Sequence, residues 1–197
     1  MSAAPKAVCL VSGGMDSAVS LAEARVAGFE TYALSVRYGQ RAECELAAAA
    51  RVARALGAHE HRIVALDLSV LAGSALTGAG EVPKGRAEAE IAHAGVPPTY
   101  VPARNTLLLT LALGWAETLG ARDLFLGVNV LDSSGYPDCR PEFLRAFEDL
   151  ARFATAAGTS SLGCARTTRR TEVASSSCRS MLNIVKPPST GAEGTTT

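Results

Sequence analysis

The sequence predicts an α/β fold, a parallel sheet with helices on its faces, and three observations carry that expectation. Short continuous apolar runs alternate with helical periodicities from Ala7 to Leu66. The two predicted helices in that stretch end on glycines, Gly28 and Gly57, as a helix does when the residue after it turns left-handed. The chain is 48% hydrophobic and 19% charged, enough apolar material for one sizeable core in 197 residues.

Ala7 to Val11 is an apolar run with no alternation, the pattern of a strand buried on both faces. Ser17 to Ala27 is expected to be helical, with Val19, Ala22 and Val26 at helical spacing. Thr31 to Val36 forms the second strand. Glu43 to Leu56 follows as an alanine-rich helix whose stripe is Leu46, Ala50, Ala53 and Leu56. His61 to Leu66 is the third strand, and strands separated by helices pair in parallel. From Asp67 to Thr99 the chain is rich in glycine and proline, the composition of a long functional loop, with one short helix expected at Glu88 to Ala92. A strongly apolar helix spans Asn105 to Leu119 and a buried strand spans Asp123 to Val128. The last helix, Arg140 to Ala157, is expected to face Phe143, Phe147, Leu150 and Ala154 inward and Arg145, Glu148, Asp149 and Arg152 to water.

Between the first strand and the first helix lies Ser12-Gly13-Gly14-Met15-Asp16-Ser17. Two glycines permit a tight turn with φ > 0 and a close backbone approach to a ligand. Consecutive N–H groups then face an anion at the positive end of the helix. The Ser12 and Ser17 hydroxyls are candidate donors to phosphate oxygens. An aspartate beside phosphates is repulsive unless a divalent cation lies between them, so Asp16 points to magnesium-bound ATP. The competing reading is an ordinary glycine turn with Asp or Ser capping the helix. Neither the Gly-Lys-Ser/Thr of a Walker A loop nor a G-x-G-x-x-G fingerprint is present.

Net charge is zero and the pI is about 6.8, so no global field draws a nucleic-acid backbone. Met1 to Lys6 does not read as a signal peptide, and no run suits a membrane span. A cytoplasmic protein is the expectation. Five cysteines, Cys9, Cys44, Cys139, Cys164 and Cys178, include no C-x-x-C pair. His59, His61 and His93 are scattered without metal-ligand spacing.

Three further stretches narrow the chemistry: Tyr38-Gly39-Gln40-Arg41, Val101-Pro102-Ala103-Arg104-Asn105, and Gly127 to Phe143 with Gly135-Tyr136-Pro137-Asp138-Cys139-Arg140-Pro141 inside it. With the phosphate loop they resemble the 7-cyano-7-deazaguanine synthase (QueC) family of the PP-loop ATP pyrophosphatases, over about Lys6 to Gly158. The resemblance implies a Rossmann-like doubly wound parallel sheet of the PP-loop type. It implies conversion of 7-carboxy-7-deazaguanine and ammonia to the nitrile, with ATP activating the carboxylate. The implied ATP-binding stretch is Val11, Ser12, Gly13, Gly14, Met15, Asp16, Ser17, Ala18, Val19, Ser20 and Leu21. Catalytic candidates are Asp16, through magnesium, and Arg104, whose guanidinium suits a carboxylate or phosphate, a surface salt bridge being its alternative. Substrate-binding candidates are Tyr38, Gln40, Arg104, Asn105, Asp132, Tyr136 and Asp138. Tyr38 suits stacking on a flat ring, or packing on the second strand. Asp132 and Asp138 suit the N–H donors of a deazaguanine. Asn105 and Asp138 are also read as helix caps, and the alternatives stay open. Cys139 reads as a packed thiol rather than a nucleophile.

The family also carries four cysteines that bind a structural zinc, three of them in a C-G-x-C-x-x-C cluster, and that cluster is absent here. No zinc site is identifiable. Residues 1–158 are therefore expected to form the ATP-binding catalytic domain. Residues 159–197, rich in Ser and Thr, are expected to form a disordered tail, reflecting either a shifted reading frame or a divergent end. Expected partners are a small deazapurine and ammonia, with no nucleic acid and no membrane, and a homodimer left open. The alternatives to the synthase are another PP-loop adenylating enzyme, tRNA-modifying or amidating, and a catalytically incomplete nucleotide-binding module.

Overall fold

The computed structural model describes residues 3–38, 43–68, 100–128, 136–161 and 180–183. Four parallel strands and one antiparallel strand form a sheet in the order β3-β2-β1-β4-β5. β1 is Lys6–Leu10, β2 Glu30–Arg37, β3 Glu60–Ala65, β4 Asp123–Leu126 and β5 Ser180–Asn183. The helices are α1 (Met15–Val26), α2 (Glu43–Ala55), α3 (Arg104–Leu119), α4 (Pro141–Ala154) and α5 (Ala156–Ser161). The 3-2-1-4 order of the parallel strands is that of a Rossmann-like doubly wound sheet. It reverses direction between β1 and β4, the switch point at which open α/β sheets bind ligands.

The unalternated apolar strands have a direct physical consequence, since each must be covered on both faces. On one face Ala7, Cys9, Ala33 and Phe125 meet Leu21 and Ala24 of α1 and Ala49 and Ala53 of α2. Small residues predominate in that layer, so these helices lie close to the sheet. On the other face Val8, Tyr32, Leu34, Leu124 and Leu126 meet Leu109, Leu113 and Trp115 of α3 and Leu144 and Phe147 of α4. Arg62 of the edge strand β3 stacks over the Trp115 ring at 5.0 Å, and the Tyr32 ring meets its edge at 5.9 Å. Among the described residues no helix is long and apolar enough to cross a membrane.

Three expectations from the sequence are corrected. The buried face of α1 is Ser17, Ser20, Leu21 and Ala24, whereas Val26 is exposed. The valines suggested a stripe, but packing beneath the loop preceding α1 selects the face that carries the serines. In α4 the inward set is Leu144, Phe147 and Ala151, while Leu150 and Phe153 are exposed. That helix also stops at Thr155, in extended backbone, before α5 begins. The Thr155 hydroxyl donates to Ala151 O at 2.9 Å and accepts the Gly158 N–H at 3.0 Å, satisfying groups the break leaves over. The third correction lies in the tail, where Ser180–Asn183 pairs antiparallel with β4, Leu182 opposite Leu124. Four residues are too few to show a period, and the open edge of β4 supplies the backbone partners that order them. Residues 162–179 and 184–197, the loop 69–99 and its expected helix at Glu88 to Ala92 lie outside the described residues.

Asp123 opens β4 in a buried position, and burial pushes its carboxyl up to about 6, opposed by Arg122. A folded value above the unfolded one, about 3.9, favours the fold most at low pH. That contribution is lost as pH rises from about 4 through about 6. Asp123→Asn is therefore expected to gain stability over the wild type as pH rises through that window. Urea midpoints at pH 4 and pH 6.5 measure it, and a pH-independent difference would contradict the assignment.

Candidate active site at the carboxyl edge of the sheet

β1 ends at Leu10, and residues 11–14 turn into α1 with Gly13 at φ +90 and Gly14 as the N-cap in extended backbone. Gly13 is required for two reasons. Its φ lies in the left-handed region, and a Cβ there would stand 2.5 Å from Glu45 O and 2.7 Å from Ala49 N of α2. From the other side Gly127, just past β4, presses on the first turn of α1. A Cβ on it would lie 2.6 Å from Asp16 C and 2.7 Å from Ser17 N. The loop is thus clamped between α2 and the exit of β4.

Inside the clamp two hydroxyls hold the turn. The Ser12 N–H and the Ser12 Oγ both donate to Ser17 Oγ at 3.2 Å. Ser17 Oγ donates to Gly14 O at 2.9 Å, and the Gly14 N–H reaches Ser12 Oγ at 3.4 Å. The α1 ladder begins with the Ala18 N–H on Gly14 O, and no side chain caps the helix. The N–H groups of the first turn are therefore offered outward at the positive end of the helix dipole. Gly14, Met15 and Asp16 are exposed beside them, and Asp16 makes no hydrogen bond or ion pair among the described residues. An exposed anion beside unfilled N–H donors fits a phosphate chain with its divalent cation. The alternative of a plain capped turn does not fit, since neither Asp16 nor a serine caps α1.

Within the expected ATP-binding stretch, Ser12 to Asp16 form the accessible rim. Val11, Ser20 and Leu21 are buried, Leu21 completely. Their side chains support the loop by packing, because periodicity turns every third or fourth residue of α1 into the core. Ala18 and Val19 lie at intermediate depth.

Arg104 opens α3 behind a strained residue, Ala103, at φ +55 and ψ +21. Its N–H bonds Val101 O at 3.2 Å, and its guanidinium has no ion pair among the described residues. Asn105 and Asp138, expected to touch a ligand or to cap separate helices, bond each other. The Asn105 N–H donates to Asp138 Oδ2 at 2.9 Å, and Asn105 Nδ2 donates to Asp138 O at 3.0 Å and to Cys139 Sγ at 3.3 Å. All three residues are buried. Asp138 satisfies the first turn of α3 and not the start of α4, where Arg140 is the N-cap residue. Sequence separation hid this pairing of residues 33 positions apart. Cys139 is an acceptor inside the lock, in keeping with a packed thiol.

Tyr38 follows β2 and packs, half-buried, against the α3 layer, as does Tyr136. Gln40 and Asp132 lie outside the described residues. Tyr100, which the sequence did not single out, stands with its ring 6.3 Å from that of Tyr136, and its hydroxyl accepts the Ala103 N–H at 3.3 Å. Its position directly before Val101-Pro102-Ala103-Arg104 was the available signal. Ser35 was also missed. A hydroxyl in the middle of a doubly buried strand must have a partner, and Ser35 Oγ donates to Val11 O at 2.5 Å.

The loop after β1, Tyr38 at the end of β2, the start of α3 and Gly127 just past β4 thus come to the carboxyl edge of one sheet. The family model of the queuosine biosynthesis protein QueC matches residues 6–167. The chain is 60% identical over 158 residues to a 7-cyano-7-deazaguanine synthase of Xanthomonas campestris pv. campestris, covering 80% of this chain and 68% of that protein. It is 62% identical over 154 residues to one of Cupriavidus taiwanensis, covering 78% and 66%. The chain belongs to the QueC family. It spans about two thirds of the length of these QueC relatives. Among solved structures, NMN synthetase from Francisella tularensis matches with a TM-score of 0.43 and 19% identity, over 66% of this chain and 48% of that one. NH3-dependent NAD synthetase from Campylobacter jejuni matches with a TM-score of 0.41 and 14% identity, over 82% and 78%.

The described residues do not supply the zinc set implied by the QueC resemblance. Cys9 is buried in the small-residue layer, where burial pushes its thiol up to about 12. Cys44 is exposed, Cys139 is held by Asn105, and no group of three or more ligating side chains gathers among the described residues. Cys164 and Cys178 lie outside them.

Two substitutions test this geometry. Asp138→Ala is expected to cost about 1–3 kcal/mol in urea unfolding by stranding the Asn105 N–H, with Asp138→Asn recovering most of it. An unchanged midpoint for Asp138→Ala would remove the lock. Gly13→Ala is expected to lower the thermal midpoint sharply. Gly14→Ala, where a Cβ meets only Ser12 Oγ at 3.5 Å, should be tolerated.

Proposed function

We propose that this chain binds magnesium-ATP at Ser12 to Ser17 and uses it to convert 7-carboxy-7-deazaguanine and ammonia to 7-cyano-7-deazaguanine. The observation that carries the reading is the exposed, unpaired Asp16 beside the open N–H groups of α1, in a chain 60% identical to 7-cyano-7-deazaguanine synthases. A carboxylate is a poor electrophile, because its charge is delocalised and its leaving group would be oxide. Transfer of a nucleotidyl group to the carboxylate oxygen, with loss of pyrophosphate, creates a competent leaving group. Ammonia then displaces it to give the amide. A second activation, on the amide oxygen, lets that oxygen depart with two protons lost from nitrogen and leaves the nitrile.

This chain's residues have distinct tasks in that sequence. The N–H groups at the start of α1 bind phosphate oxygens and take up charge as pyrophosphate leaves. Asp16 would hold the magnesium, whose chemistry there would be to screen the charge of the phosphates. Arg104, without an ion pair of its own among the described residues, pairs with the carboxylate and orients its oxygen toward the α-phosphorus. Tyr38, Tyr100 and Tyr136 offer aromatic surface for the flat base. Gln40, Asp132 and the second oxygen of Asp138 are the proposed polar contacts to its edge. The partners are small molecules in the cytoplasm, in keeping with a net charge of zero.

Incubation with magnesium-ATP, ammonium and 7-carboxy-7-deazaguanine should yield the nitrile, read by mass spectrometry. Asp16→Asn should weaken magnesium-ATP binding by about tenfold or more, the loss of one charge–metal contact. Wild-type binding of ATP without product would identify a nucleotide-binding module in place of a synthase. Equal ATP affinity for the wild type and Asp16→Asn would refute the metal role.

A further inference from the structure

The phosphate loop depends on a single peptide unit, Val11–Ser12, that joins β1 to the turn. Because the peptide is planar, fixing its carbonyl fixes the direction of its N–H. Both ends are held. Val11 O accepts the Ser35 hydroxyl at 2.5 Å, and the Ser12 N–H donates to Ser17 Oγ at 3.2 Å. Behind Ser35 stands His61 of β3, with Nε2 2.8 Å from Ser35 Oγ.

The donors can be assigned by elimination. A carbonyl oxygen carries no proton, so Ser35 must spend its only hydrogen on Val11 O. The contact between Ser35 Oγ and His61 Nε2 is then a hydrogen bond only if Nε2 carries the proton. His61 is thereby fixed as the Nε2–H tautomer. Burial holds its pKa below the ordinary histidine value, which keeps the ring neutral. The donors run in one direction: His61 Nε2–H to Ser35, Ser35 to Val11 O, Ser12 N–H to Ser17, and Ser17 to Gly14 O. Aligned hydrogen bonds in a poorly solvated setting polarise one another. Ser35 is fully buried on β2, so this chain crosses the small-residue face of the sheet and enters the loop from below.

We infer that Ser35 and His61 are positioning residues of the phosphate site, turning the Val11 carbonyl away from the ligand so that the loop presents N–H groups. A carbonyl that swung outward would place its negative end against phosphate oxygens and would take the Ser12 N–H from Ser17. His61 acts through Ser35 and has no contact with the ligand. The inference rests on the phosphate-binding reading of the loop and needs no assumption about the base or the reaction.

The test is equilibrium binding of magnesium-ATP to the full chain, well below its thermal midpoint, alongside thermal unfolding. Ser35→Ala should weaken magnesium-ATP by about tenfold, the loss of one hydrogen bond that orients the site. His61→Leu, which packs on the edge strand but donates nothing, should weaken it by about threefold to fivefold at little change in midpoint. Ser35→Thr restores the hydroxyl and His61→Gln restores a side-chain N–H, and both should recover most of the affinity. If Ser35→Ala does not fold, the His61→Leu and His61→Gln pair carries the comparison. Lowered midpoints with wild-type affinity would overturn the inference, as would failure of both conservative variants to recover binding. No magnesium-ATP binding by the wild type would remove the phosphate site itself, a separate failure from equal binding by wild type and variants.

Discussion

The close approach of three backbones at the loop after β1 is the constraint on which the rest of the candidate site depends. Gly13 lies against Glu45 O and Ala49 N of α2, and Gly127 lies against Asp16 and Ser17. No side chain larger than hydrogen fits at either contact. The clamp accords with the small residues of this layer, Ala7, Cys9 and Ala33 of the sheet against Ala24 of α1 and Ala49 and Ala53 of α2, since bulkier residues at those contacts would lift the helices away from the loop. It also sets the start of α1, which opens at Met15 and not at Ser17, so that Asp16 stands at the rim with the unfilled N–H groups.

The opposite face is built differently. There Leu109, Leu113, Trp115, Leu144 and Phe147 form a deep apolar layer that carries most of the hydrophobic stabilisation. At the carboxyl edge this layer is closed by a polar device, the Asn105–Asp138–Cys139 lock, which ties the start of α3 to the turn before α4. The lock holds the backbone adjoining Ala103 and so maintains its left-handed conformation, a form that costs a non-glycine residue on the order of 1–3 kcal/mol. Arg104 follows directly, so its direction is set by a residue that would not adopt this shape alone. The two halves of the site are therefore supported separately, one by glycine contacts and one by buried hydrogen bonds.

The same sheet order decides what lies near the chemistry. Because β1 and β4 are neighbours although Cys9 and its ladder partner Phe125 lie 116 positions apart in sequence, the loop after β1 and Gly127 just past β4 meet at one edge of the sheet. β5 adds an antiparallel edge beyond β4, with Ser180 opposite Leu126 and Asn183 opposite Asp123.

From the sequence alone, the parallel sheet, its four parallel strands and the tight glycine turn after β1 were legible, because they follow from local rules. Unalternated apolar runs demand cover on both faces, and two glycines after a strand demand a tight turn. The family was legible in stretches such as Gly135-Tyr136-Pro137-Asp138-Cys139-Arg140 for the same reason, since a motif is local. Tertiary structure decided what local rules cannot reach. It turned Ser20 and Leu21 inward and left Val26 and Phe153 outside, because the face a helix buries depends on what packs over it. It paired Asn105 with Asp138, and joined His61 to Ser35 and Val11, since hydrogen-bond partners are selected by distance in space. It also gave Ser180–Asn183 the status of a strand, which four residues acquire only from the exposed edge they join.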